Sequence, residues 1–142
     1  MSPCQPWRLP RSVVIRMFDH ARRSLPQECV GVLSGPLGSS PVIHNCHPLT
    51  NQLHDSRRFL ADPVEQIRLT RKLRCSGLAI VAIYHSHPDS DATPSRQDLR
   101  YNPYPAMLQL IIAFDIKGCV NMSGYLYRED GFMRQELMVT DG

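Results

Sequence analysis

Residues 78–100 read LAIVAIYHSHPDSDATPSRQDLR. The first part, Leu78 to Tyr84, is apolar throughout, which suits a central strand covered on both faces. His85 and His87 follow at its carboxyl end, where open α/β sheets place their sites. In an extended backbone, residues two apart point to the same side, so both imidazoles can face one ion. Asp98 stands eleven residues after His87, on the first turn of a short helix that Ser95 can cap. Two imidazoles and one carboxylate are a sound ligand set for a catalytic zinc, which keeps a fourth position open for water. A closed structural site normally takes four protein ligands, often thiolates, and no cysteine lies between positions 76 and 118. A lone pair of histidines in a loop is ordinarily solvent-exposed or satisfied in a core. Strand-end placement, the carboxylate and the capping serine together turn this pair into an expected metal site.

Outward from that stretch, Val14, Met17, Phe18, Ala21 and Leu25 recur three or four apart and predict a helix from Arg11 to near Pro26. Cys29 to Ser34 reads as a buried strand closed by Gly35-Pro36, with Pro41 to His47 as its partner across a Gly/Ser-rich turn at 35–40. Asn51 to Arg58 is polar and reads as a loop. Asp62 before Pro63 is a helix start; Val64, Ile67, Thr70, Arg71 and Arg74 hold helical spacing until Gly77. Beyond the short helix, Asn102 to Pro105 reads as a loop. Met107 to Phe114, Cys119 to Tyr127 and Phe132 to Val139 read as three strands. The fold class expected is α/β, three layers, with a mixed β-sheet and helices on both faces.

The chain has 142 residues, 42% of them hydrophobic and 20% charged, with 8 Gly and 12 Pro. That is one domain's length, able to bury about two-thirds of its unfolded surface, and it excludes a disordered tail, a fibre or a repeat array. The expected organisation is a flexible N-terminal leader over 1–9 and a single domain over 10–142. No apolar run reaches the ~18 residues of a spanning helix, and Met1 to Pro10 lacks a signal-peptide pattern. The expectation is therefore a cytoplasmic protein with no membrane partner. A net charge of +3 comes with no nucleic-acid motif, and Arg68, Arg71, Lys72 and Arg74 read as a solvated helix face. Five cysteines without a CxxC read as buried or incidental thiols. His44 and His47, three apart in a strand, face opposite sides and make no second metal site. Asp89 and Asp91 read as solvated loop residues.

The segment His85-x-His87, ten residues, then Asp98, with Pro94-Ser95 ahead of the aspartate, resembles the JAMM (MPN+) motif of zinc metallopeptidases. Upstream, Pro26-Gln27-Glu28-Cys29-Val30-Gly31 resembles the family's Pro-x-Glu-x-x-Gly setting beside its first strand, and the element pattern fits from about Arg11 to Val139. The resemblance implies a JAB/MPN, cytidine-deaminase-like architecture. It implies zinc held by His85, His87 and Asp98, Glu28 as general base, and Ser95 as hydrogen-bond donor to the tetrahedral oxyanion. Eukaryotic relatives cleave isopeptide bonds to ubiquitin with the help of long insertions. Here eight residues, Leu99 to Ala106, lead from Asp98 to the next strand, as in compact bacterial and archaeal members. For those the implied substrate and partner is a ubiquitin-like sulfur-carrier protein with a Gly-Gly tail. The alternative is a non-catalytic MPN scaffold, a class that typically lacks some of the ligands kept here. A zinc deaminase would need H-x-E with P-C-x-x-C, and neither occurs. An amidohydrolase barrel needs ~250 residues. The oligomeric state is left open.

Overall fold

The computed structural model of the chain describes residues 5–37, 42–100, 104 and 106–141. Residues 1–4 with Cys4, the 38–41 part of the expected turn and strand, and Asn102, Pro103 and Pro105 of the expected loop lie outside the described residues.

The elements run β1 (Trp7–Pro10), α1 (Arg11–Ser24), β2 (Val30–Pro36), β3 (Asn45–Leu49), α2 (Pro63–Cys75), β4 (Leu78–His87), α3 (Arg96–Arg100), β5 (Leu108–Phe114), β6 (Val120–Arg128), β7 (Gly131–Gln135) and β8 (Leu137–Thr140). Six of the strands form one sheet in the order β3-β2-β4-β5-β6-β7. β4 and β5 pair in parallel, and every other neighbouring pair in that sheet is antiparallel. A parallel pair needs a crossover. The segment that crosses from β4 to β5 carries α3, so it departs from the end of β4 that bears the histidines.

One face of the sheet packs on α1. Val13, Val14, Met17 and Ala21 meet Leu33, Ala82, Tyr84, Leu108, Leu110 and Ile112 there. Burying one such side chain completely contributes about 1.5–3 kcal/mol. Tyr84 is fully buried, and its hydroxyl is satisfied by His20 Nδ1 at 2.8 Å. Its cross-strand partner is Gly31, where an added Cβ would lie 2.3 Å from the phenol ring. The glycine is required by that close approach. The opposite face carries Val30, Val32 and Ile83, covered by Leu69 of α2 and by Phe59. Helices therefore lie on both faces, as expected.

Two expectations are corrected. Residues 7–9 are not a loose leader: β1 pairs in parallel with β8, and Trp7 Nε1 donates to Gln135 Oε1 at 3.2 Å. Phe132 to Val139 is not one strand. Its second half breaks away at Glu136 to meet β1, because that end of the chain has a partner outside the main sheet. On α2, Val64 and Ile67 are 55% and 54% exposed, while Leu73 is buried and Leu69 packs on the sheet. The helix stands where the spacing predicts it, and Thr70, Arg71 and Arg74 lie on its exposed side. The inward stripe is the i, i+4 leucine pair. Asp62 caps α2 as expected, its Oδ1 accepting from Val64 and Glu65 amides. Arg68, Arg71, Lys72 and Arg74 are exposed. Cys29 and Cys46 are buried thiols, Cys75 and Cys119 exposed ones, and all four are free. Among the described residues no helix is long and apolar enough to cross a membrane.

Candidate metal centre

β4 extends three residues past its apolar run, so His85 and His87 belong to the strand itself. Strand alternation puts them on the face of Ile83, away from α1. Val30 stands opposite His85 in the antiparallel β2–β4 pair. Continuing that register two residues back brings Glu28 opposite His87, on the same face. Glu28 and His85 and His87 do converge, with ligand atoms within 4.8 Å of one another.

Asp98 arrives from α3. Ser95 Oγ accepts from the Asp98 amide at 3.0 Å, and Asp98 Oδ2 accepts from the Ser95 amide at 2.9 Å. This reciprocal capping box fixes the carboxylate at the helix start. The same Oδ2 lies 3.1 Å from His85 Nε2 and 3.0 Å from His87 Nε2, and the two nitrogens are 3.2 Å apart. All the sequence-predicted residues, Glu28, His85, His87, Ser95 and Asp98, therefore meet in one place. Asp91 takes part through its backbone: its carbonyl lies 2.7 Å from His87 Nδ1. His47 is bound to Ser34 Oγ at 2.7 Å.

The triangle of two nitrogens and one oxygen fits a metal ion. Around a tetrahedral zinc with ~2.0–2.1 Å bonds, neighbouring ligand atoms stand about 3.3 Å apart, close to the 3.0–3.2 Å observed here. The proton arrangement agrees. In the neutral His87 ring with Nδ1–H donating to the Asp91 carbonyl, Nε2 turns a lone pair toward a carboxylate oxygen, and a cation between them satisfies both. In the metal-free protein a second proton on His87 does the same. A carbonyl on the outer nitrogen is also the usual way to orient a metal-binding histidine.

The electrostatics follow from burial. Burial pushes the His85 imidazole down, more strongly than Asp98 raises it. For His87 burial is outweighed by the Asp98 and Asp91 hydrogen bonds, and its value rises. Burial would raise Asp98, yet its bonds to both imidazoles and to the Ser95 amide hold it well below the usual carboxylate range. Burial pushes Glu28 up to about 8, with His87 opposing and Asp98 and Asp55 adding to the rise. Glu28 is 2% exposed, and its Oε1 has no hydrogen-bond partner among the described residues. A bound cation would favour the ionised form of this carboxyl.

Two features escaped sequence reasoning. Phe59 stacks on the His85 ring with centroids 4.5 Å apart. With Leu53, Arg57, Arg58, Leu60, Gln97 and Asp98 it lines a 330 Å³ cleft beside the centre. Asn51, buried behind that loop, bonds the carbonyl of Glu28. The apolar residue inside a polar run, Phe59-Leu60, was the available signal for the first. Nothing in the sequence marked Asn51 out.

The model of prokaryotic homologues of the JAB domain matches residues 10–125. The CysO-cysteine peptidase of Mycobacterium tuberculosis is 38% identical over 94 residues, 66% of this chain and 63% of that protein. A probable TtuB-protein conjugate cleaving protease of Thermus thermophilus is 36% identical over 94 residues, 65% and 60% of the two chains. The chain thus spans somewhat under two-thirds of the length of these relatives. A solution structure of a protein from Desulfitobacterium hafniense superposes with a TM-score of 0.85 at 29% identity, covering 95% of this chain and 93% of the other. A JAB1/MPN domain protein from Archaeoglobus fulgidus shares the fold, with a TM-score of 0.58 at 20% identity and coverage of 94% and 98%. On the extent of the family match and the shared architecture, this chain belongs to the prokaryotic JAB-domain family.

Proposed function

We propose that this chain is a zinc-dependent peptidase that hydrolyses the peptide or isopeptide bond after the Gly-Gly tail of a ubiquitin-like sulfur-carrier protein. The observation that carries the reading is the convergence of His85, His87 and Asp98 into a triangle with 3.0–3.2 Å edges beside a buried carboxyl with a free oxygen. Two relatives are named for removing cysteine from CysO and for cleaving TtuB-protein conjugates. That supports a carrier-conjugate substrate. The four free thiols suit the reducing cytoplasm.

His85, His87 and Asp98 are the residues that would hold the ion. When bound, zinc would supply a Lewis acid and bring the pKa of water down to about 7. Glu28 accepts the proton of the attacking water on its free oxygen and delivers it to the departing nitrogen. The bound cation would favour the ionised carboxylate that accepts the proton. Ser95 Oγ spends a lone pair on the Asp98 amide, which leaves its own proton free. That proton is donated to the scissile carbonyl oxygen as it becomes negative, a contribution of about 3 kcal/mol for comparable donors. Asp91 keeps the His87 ring oriented, and Phe59 shields His85 from water.

The test is a cleavage assay on Gly-Gly-tailed carriers extended by one amino acid or by a lysine-linked protein, read by mass spectrometry. Cleavage after the second glycine by the zinc-loaded protein, abolished by chelation and by Glu28→Gln, is expected. A zinc-loaded protein that leaves every carrier intact would contradict the substrate class.

A further inference from the structure

We propose that Asn51 is a positioning residue for Glu28, holding the proton acceptor through its backbone and tying it to the loop that walls the cleft. The proposal rests on the reading of Glu28 as the base.

Glu28 precedes the first paired residue of β2, Val30, so the sheet ladder does not hold it. Both of its backbone polar groups go to the 51–60 segment instead. Its amide donates to the Asp55 carbonyl at 2.8 Å, and its carbonyl accepts from Asn51 Nδ2 at 3.1 Å. The same Nδ2 donates to the Arg58 carbonyl at 3.0 Å. On the other side of the carboxamide, Oδ1 accepts from the amides of Leu53 at 3.1 Å and Leu60 at 3.0 Å. A carboxamide has two donor protons and two acceptor lone pairs, and here all four are used. Asn51 is only 7% exposed, so each of these bonds is made away from competing water.

This side chain adds four bonds to the backbone pairings Gln52–Leu60 and Thr50–Asp62 that close the loop, and with the Glu28 amide bond to Asp55 it joins the loop to Glu28. The loop's Phe59 is the ring that stacks on His85, and Leu53, Arg57, Arg58 and Leu60 form much of the cleft wall. Releasing Asn51 loosens the base and the cover over the histidine together, leaving Glu28 held by its amide alone, while the direct contacts among His85, His87 and Asp98 remain. Displacing a reacting group by about 1 Å costs on the order of 10²-fold in rate.

The test joins kinetics to amide hydrogen exchange. Zinc-loaded Asn51→Ala should keep its metal and lose about 10–100-fold in kcat, with KM changed less than about threefold. Asn51→Asp keeps both acceptor bonds and loses both donations, so it should share the kcat loss while retaining protection at Leu53 and Leu60. In metal-free protein, Asn51→Ala should speed exchange at the amides of Glu28, Leu53 and Leu60 and leave Val32 and Ile83 unchanged. Wild-type protein alone gives a further reading: those three amides should open as one unit with a shared free energy. Independent opening in the wild type, or full kcat in a variant whose Glu28 amide is released, would overturn the proposal. Exchange does not require turnover. If wild-type protein cleaves nothing, the peptidase reading fails, and unprotected Glu28 in the variant still supports the tether.

Discussion

Replacing Glu28 by glutamine should stabilise the metal-free protein, and by an amount that grows with pH. The carboxyl is 2% exposed with one oxygen unpartnered, and burial lifts it from 4.5 to about 8. Below the lower value both folded and unfolded chains carry the proton, and the wild-type residue costs nothing extra. Between the two values the unfolded chain ionises while the folded one does not, so the folded state binds more protons. Stability then falls as pH rises, by about 1.4 kcal/mol per pH unit. Above about 8 the loss is complete and the curve flattens. From about pH 5 to pH 8 the wild type should lose about 4 kcal/mol that Glu28→Gln keeps. His87 and Asp98 titrate in both proteins, and their direct contributions largely cancel in the difference. Urea denaturation of both chelated proteins at the two pH values measures it. A difference that stays constant within about 0.5 kcal/mol would refute the claim that Glu28 is a buried carboxyl held neutral by desolvation. Zinc should reverse the trend in the wild type, since a neighbouring cation favours the ionised carboxylate.

Ser95→Ala removes both a helix cap and the proposed oxyanion donor. Stability should fall by about 1 kcal/mol and kcat by about 10²–10³-fold, while Ser95→Thr keeps both; full activity in the alanine variant would remove Ser95 from the chemistry. Gly31→Ala drives a methyl into the buried Tyr84 ring, and thermal melting should report about 1–3 kcal/mol of destabilisation. An unchanged melting temperature would contradict the packing of β2 against β4.

Much of this arrangement is legible in the sequence because strand and helix termini carry local signals. The apolar run ending in His85 and His87 specifies both a strand and a shared face. Ser95 and Asp98, three apart, specify a cap, and the cap is the device that aims the Asp98 carboxylate at the two histidines. Glu28 is legible in a weaker way: it lies two residues before a strand whose register with β4 comes from long-range pairing. Other parts depend on tertiary partners. The pairing of β1 with β8 joins opposite ends of the chain, and neither segment advertises the other. The rotation of α2 is not legible in the sequence, because its apolar residues lie on two sides and the sheet selects Leu69 and Leu73. Asn51 sits in a polar stretch where many side chains can bond water. Only the folded loop brings two carbonyls and two amides around its carboxamide.

The central claim is that His85, His87 and Asp98 hold a metal on which hydrolysis depends. Zinc titration of the chelated protein, followed at each step by cleavage of a Gly-Gly-tailed carrier, tests it most directly. One zinc per chain should bind, with activity returning in proportion to occupancy, and Asp98→Ala should lose both. Activity that persists without metal, or zinc bound equally well by Asp98→Ala, would contradict it.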